Sequence, residues 1–175
     1  RAFRPKTTQS DHDQPIAPNR LPACLCTQHD QVGLGDITYI PTREGWLYLA
    51  GILDRCSRKL KGWKLDEHMK ASLTLDALDQ ALASAGRVPK LNHTDQGVQY
   101  ASQDYRLRLA NWRIEPSMSR RGNCYDNAMM ESFWATLKTE LFGPYVPATK
   151  AEARSMIFEY IELYYNRRRK HSALG

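Results

Sequence analysis

Three carboxylates stand out because each adjoins an element stiff enough to aim it. Asp95 follows the short apolar segment Leu91-Asn92-His93-Thr94 and precedes a turn at Gly97, where glycine tolerates a tight backbone. Asp36 opens the segment Asp36-Ile37-Thr38-Tyr39-Ile40, which reads as a strand. Glu131 falls one turn into a helical pattern, and thirty-five residues lie between it and Asp95. Three acids brought together repel one another and raise their own pKa values unless cations compensate. Hard divalent cations prefer oxygen ligands, and a pair of them about 4 Å apart can grip the attacking and leaving oxygens of a phosphodiester. Taken singly, each acid is more often a solvated charge or a helix cap.

Other groups compete for roles near these acids. His93, two residues before Asp95, shares its strand face and is read either as a packed histidine or as a group positioning water or phosphate. Gln99 and Tyr100 are read as orienting the turn or touching a ligand. Asp54 is expected to be structural, paired with Arg58, and Asp126 to be an N-cap. His12, Cys24, Cys26 and His29 invite a zinc site, but their spacing fits none of the common finger patterns. Without a secretory signal, Cys24, Cys26, Cys56 and Cys124 are expected as reduced thiols.

The elements that must position the acids follow from periodicity. Residues 1–30, interrupted by Pro5, Pro15, Pro18 and Pro22, read as an extended arm or linker, and residues 31–175 as one folded unit. Asp36–Ile40, Trp46–Leu53 and Lys59–Leu65 form a predicted antiparallel meander, the second strand covered on both faces. Ala71, Leu75, Leu78 and Leu82 predict a helix stopped near Gly86. The strand ending at Asp95 comes next, then a helix over 102–112 that buries Tyr105, Leu109 and Trp112, then a strand over 114–118. A helix over 126–141 carries the apolar stripe Met130, Phe133, Trp134, Leu137 and Leu141. Asn127 and Lys138, four residues before and seven after Glu131, project from its side. The last helix opens with the capping box Thr149-Lys150-Ala151-Glu152 and buries Ala153, Met156, Ile157, Tyr160, Ile161 and Tyr164. The sum is an α/β chain with a mixed five-stranded sheet flanked by helices.

The formal charge of +6 over 175 residues suits a polyanionic partner without proving one. Arg120, Arg121 and the run Arg167-Arg168-Arg169-Lys170 are candidate phosphate contacts, although a basic helix end also suits the macrodipole. No apolar run approaches the ~20 residues of a membrane span, so no membrane role is expected.

These residues resemble the integrase-type catalytic core of DDE transposases, and most closely the second-frame proteins of bacterial insertion sequences. The segments that carry the likeness are Asp36-Ile37-Thr38-Tyr39-Ile40, Leu53-Asp54-Arg55-Cys56-Ser57-Arg58, His93-Thr94-Asp95-Gln96-Gly97-Val98-Gln99-Tyr100 and 117–128. Glu131-Ser132-Phe133, Leu137-Lys138, Tyr164-Tyr165-Asn166 and Arg169-Lys170-His171-Ser172-Ala173-Leu174-Gly175 complete it. The resemblance implies a ribonuclease H-like fold, catalytic and metal-binding roles for Asp36, Asp95 and Glu131, and two magnesium or manganese ions. It implies DNA cleavage that leaves a 3′ hydroxyl, then attack of that hydroxyl on a second phosphodiester. Lys138 matches the family position that contacts the element's terminal DNA, and 119–127 the loop bordering the site. Arg120, Arg121, Asn127, Gln99, Tyr100, Arg168, Arg169 and Lys170 join it as expected DNA contacts. The implied partners are terminal-repeat and target DNA, further copies of the chain, and a first-frame or helix-turn-helix region that reads the element ends. The implied location is the bacterial cytoplasm, at the nucleoid. Two alternatives stay open: a nuclease of the same fold that does not join strands, and a DNA-binding remnant without catalysis. Gly33 stands where the family usually has Trp, which is expected to loosen Asp36.

Overall fold

The computed structural model describes residues 5–120 and 127–168. Five strands form one sheet in the order β3-β2-β1-β4-β5. Strands β1 (Val32–Thr42), β2 (Gly45–Asp54) and β3 (Leu60–Asp66) make an antiparallel meander. Strands β4 (Leu91–Thr94) and β5 (Glu115–Met118) then add in parallel on the other side of β1. The crossover from β3 to β4 is helix α1 (Ala71–Ser84), and that from β4 to β5 contains α2 (Val98–Ala101) and α3 (Gln103–Asn111). Helices α4 (Ala128–Leu137) and α5 (Lys150–Glu159) follow. This is the mixed, helix-flanked sheet expected of a ribonuclease H-like fold.

Strand alternation gives the sheet two apolar faces. Leu34 and Ile40 of β1 and Leu47, Leu49 and Leu53 of β2 pack with Met130, Phe133, Trp134, Leu137 and Ile157 of α4 and α5. Ile37, Ala50 and Ile52 pack with Leu73, Ala77 and Leu78 of α1 and with Tyr105 and Leu109 of α3. The sheet is therefore buried from both sides at β1 and β2, as their near-continuous apolar runs require.

Several sequence expectations shift by a few residues, each for a physical reason. Asp36 does not open β1 but lies inside it, because the strand begins at Val32. Gly33 and Gly35 are strand residues: a Cβ at Gly35 would stand 3.0 Å from Thr94 Cγ2 and 3.1 Å from Ile52 Cδ1. Helix α1 buries Leu73, Thr74, Ala77, Leu78 and Ala81, while Leu75 and Leu82 stay half-buried. The close approach of α1 to Gly62 on β3, where a Cβ would stand 2.1 Å from Ala77 O, selects the small Ala77 and Ala81 for the contact face. Trp112 caps α3 and is 46% exposed, since Arg113 at φ 55° turns the chain away after one further residue.

Both C-terminal helices end in π turns. Lys138–Phe142 continues α4, and Tyr160–Tyr165 continues α5. In the second, Asn166 N–H donates to Ile161 O at 3.1 Å, a five-residue closure. The wider turn rotates Tyr165 into the core, where its hydroxyl donates to Arg58 O, and leaves Tyr164 44% exposed, the reverse of the helical expectation. Thr149 caps α5 by accepting from Glu152 N–H, as predicted. Glu152 in turn accepts from Ala148 N–H, and a backbone bond from Thr149 also favours its anion. Asp126 lies outside the described residues, and Asn127 holds the N-cap position of α4.

Candidate active site

Strands β1 and β4 run side by side in parallel, with Leu34 opposite His93. Asp36 lies two residues beyond Leu34, and Asp95 two beyond His93, so both acids emerge from the same end of this strand pair. Asp36 is half-buried. Burial, then the Asp95 charge, and further the Glu131 charge raise its pKa to about 7, against the Ile37 N–H and the Trp134 indole N–H, which favour the anion. Asp95 is also raised by burial, against hydrogen bonds from Thr8 and Gly97. Gly97 N–H donates to Asp95 Oδ1 at 2.8 Å, and Thr8 Oγ1–H to Asp95 Oδ2 at 2.5 Å. Glu131 is exposed in the first turn of α4, close enough for its charge to act on Asp36.

Two half-buried acids, one of them also reached by the Glu131 charge, suit a cation better than any neutral ligand. Asp36 and Asp95 therefore fit a divalent ion as oxygen donors, and Glu131 supplies a further charge. Among the described residues, no group of three or more His, Cys, Asp or Glu side chains is placed to hold a metal ion. Glu131, exposed, marks the open edge of the site.

His93 is fully buried, its Nδ1 2.8 Å from Ser117 Oγ across the β4–β5 pair. Gln99 and Tyr100 are 5% and 2% exposed, so neither offers a surface to DNA. Burial decided this: α2 turns Gln99 toward Met69 O, which its Nε2 reaches at 3.0 Å, and sets Tyr100 edge-on against Tyr105. Asn127, expected beside Glu131 on the open face, is also buried. Lys138 lies with Nζ 4.3 Å from the centre of the Tyr39 ring, on the strand that bears Asp36. Arg120 and Arg168 are exposed; Arg121, Arg169 and Lys170 lie outside the described residues.

Asp54 is structural, but its partner is not the Arg58 side chain. Its carboxylate accepts from Ser57 N–H, Ser57 Oγ–H and Asp30 N–H, and Arg58 contributes only a backbone N–H to Asp54 O. The Gly33 position leaves no void. A Cβ there would stand 3.1 Å from Asn92 Oδ1 and 3.2 Å from Ile52 Cγ2, so the expected loosening of Asp36 does not arise from missing bulk.

Two contacts escaped the sequence. Trp134, read only as core, donates its indole N–H to Asp36 Oδ2 at 3.0 Å. A buried tryptophan needs a partner for that N–H, which was the available signal. Residues 8–12 of the arm lie along the Asp95 turn: besides Thr8, Val98 N–H donates to Gln9 O and His12 Nε2–H to Gln96 O, each at 2.9 Å.

The fold and the acid-lined strand ends define an integrase-like core. A family model described as "Integrase core domain" matches residues 27–124, and a second with that description matches residues 112–175. The chain belongs to the integrase core domain family. It is 48% identical over its whole length to an uncharacterized 31 kDa protein of insertion element IS600 from Shigella sonnei, covering 65% of that protein. It is 50% identical, over 85% of its length and 59% of the relative's, to the transposase of insertion sequence element IS904 from Lactococcus lactis. Transposase InsF of insertion sequence IS3A from Escherichia coli is 41% identical over the whole chain, which covers 61% of it. The chain thus spans somewhat less than two thirds of these relatives.

Solved structures agree on the fold. The simian T-cell lymphotropic virus intasome superposes with a TM-score of 0.67 at 20% identity, over 90% of this chain and 56% of that one. The HTLV-2 integrase catalytic core domain, solved with magnesium, gives a TM-score of 0.60 at 17% identity over 79% of this chain and 90% of that one. No helix among the described residues is long and apolar enough to cross a membrane.

Proposed function

We propose that this chain is the catalytic core of an insertion-sequence transposase, a polynucleotidyl transferase that cleaves DNA and joins the released 3′ end to a second strand. The observation that carries the reading is the pair Asp36 and Asp95 at the same end of adjacent parallel strands, with the Glu131 charge reaching Asp36 from α4. The whole-length likeness to insertion-element proteins supports it, and it favours neither a non-joining nuclease nor a decayed remnant.

Asp36, Asp95 and Glu131 would hold magnesium or manganese, two ions in this reading, as the magnesium in the HTLV-2 core suggests. When bound, divalent cations polarise the scissile phosphate and offset the charge that develops on the attacking and leaving oxygens. The protein's own part is to hold Asp36 and Asp95 fixed in a poorly solvated site, so that little reorganisation accompanies the reaction. The Gly97 and Trp134 N–H groups serve this by donating to the two carboxylates. Lys138, Arg120 and Arg168 would contact DNA phosphates, as would Arg121, Arg169 and Lys170. Direct exchange of one phosphodiester for another needs no nucleotide triphosphate. Two element ends must be held together, so the active form would be an oligomer on DNA. End recognition would come from a separate helix-turn-helix region or first-frame protein. A bacterial cytoplasmic site at the nucleoid follows from the same reading.

The test is strand transfer on labelled terminal-repeat DNA with magnesium or manganese. Asp95→Asn and Glu131→Gln are expected to lose more than the roughly 10–100-fold that loss of an outer-sphere partner costs. Full activity in either variant would refute the assignment.

A further inference from the structure

The indole of Trp134 joins two of the three acidic positions. It lies on α4 three residues beyond Glu131, is 6% exposed, and donates Nε1–H to Asp36 Oδ2 at 3.0 Å. The ring reaches Asp36 across a gap made by the sheet itself. Asp36 pairs with Gly51 on β2, and a Cβ at Gly51 would stand 2.9 Å from Trp134 Cη2. A hydrogen at that position leaves room for the ring beside the carboxylate. Phe133, its ring 4.7 Å from that of Trp134 and 4.8 Å from that of Tyr165, wedges the same turn of α4 against the end of the last helix.

We infer that Trp134 is a positioning residue: its N–H sets the orientation of the Asp36 carboxylate, and its place on α4 fixes how far Glu131 stands from Asp36. This rests on the reading of Asp36 as a cation ligand. A hydrogen bond to an ionised acceptor is stronger than a neutral one and favours the anion. It also uses up one lone-pair direction of Oδ2 and so restricts the directions left for a cation. Because the tether and Glu131 share one turn of helix, a shift of α4 that moves Glu131 strains the Trp134–Asp36 bond. Outer partners of this kind typically contribute 10–100-fold to metal affinity.

The experiment is a magnesium titration of the chain followed by thermal shift, on the wild type, Trp134→Phe, Gly51→Ala and Asp36→Asn. Trp134→Phe keeps an aromatic ring but no N–H, and its magnesium midpoint is expected to rise roughly 10-fold or more. Gly51→Ala keeps the N–H but displaces the ring, and is expected to move the midpoint the same way. A merely structural tryptophan would lower the magnesium-free melting temperature and leave the midpoint unchanged, and that result overturns the inference. Asp36→Asn separates the two levels: a wild-type midpoint in that variant defeats the reading of the site itself. A lost midpoint in Asp36→Asn with a wild-type one in Trp134→Phe defeats only the role of Trp134. Should the variants not fold, the wild-type Trp134 indole N–H resonance carries the test. It is expected to shift with the magnesium midpoint, and a resonance unmoved through the titration overturns the inference.

Discussion

Thr8 Oγ1 stands 2.5 Å from Asp95 Oδ2, so a residue of the N-terminal arm donates a hydrogen bond to a central acid of the site. That oxygen is one a cation would use. Two further bonds, Val98 N–H to Gln9 O and His12 Nε2–H to Gln96 O, lay the arm along the Asp95 turn. If Asp95 holds a cation as proposed, arm and cation compete for that carboxylate.

Thr8→Ala is expected to tighten magnesium binding by a few-fold, since a hydrogen bond of about 1 kcal/mol no longer opposes it. The same competition makes magnesium loosen the arm in the wild type. Limited proteolysis within residues 5–14 should speed up as magnesium is added, and an unchanged rate would count against the competition.

The stability of the metal-free protein should fall as pH rises from about 4 to about 7. Asp36 keeps its proton in the folded chain up to about 7, whereas in the unfolded chain it ionises near 3.8. The contribution is whole below the unfolded value and is lost as pH passes through the folded one. Asp95, also raised, acts in the same direction. The Asp36 share is on the order of 4 kcal/mol, less whatever solvent reaches the group. Thermal melts across this range check the slope, and Asp36→Asn should flatten it.

Gly62→Ala should be among the most damaging single changes in the sheet. Its Cβ would stand 2.1 Å from Ala77 O and 2.4 Å from Ala81 N, so the backbone of α1 must move. Overpacking of this sort costs about 3 kcal/mol or more, because no flexible side chain can yield. Urea unfolding of the variant measures it, and a loss under about 1 kcal/mol would mean that α1 sits further from β3.

Lys138→Gln should weaken DNA binding about equally for all sequences and reduce the salt dependence by about one released ion. Its ammonium lies over the ring of Tyr39, on the strand that bears Asp36. The logarithm of DNA affinity against that of salt concentration gives the slope, and an unaltered slope would remove Lys138 from the phosphate contacts.

The sequence alone determined the five strands, the four longer helices, the acids worth following and the residue that caps α5. These are local matters: alternation marks a strand, a 3.6-residue period marks a helix, and Thr149 caps the residues just after it. Asp36, Asp95 and Glu131 were legible because each adjoins such an element. What the tertiary structure decided was which distant segments touch. β1 extends back through Gly33 and Gly35, on which β4 and β2 close in, and α1 turned its alanines inward because β3 presents Gly62. A π turn exchanged Tyr164 for Tyr165 in the core. Trp134 met Asp36, and Thr8 met Asp95, across 98 and 87 residues of chain. Periodicity carries no information over such separations. Sheet order sets them, through the requirement that buried polar groups find partners wherever packing leaves them.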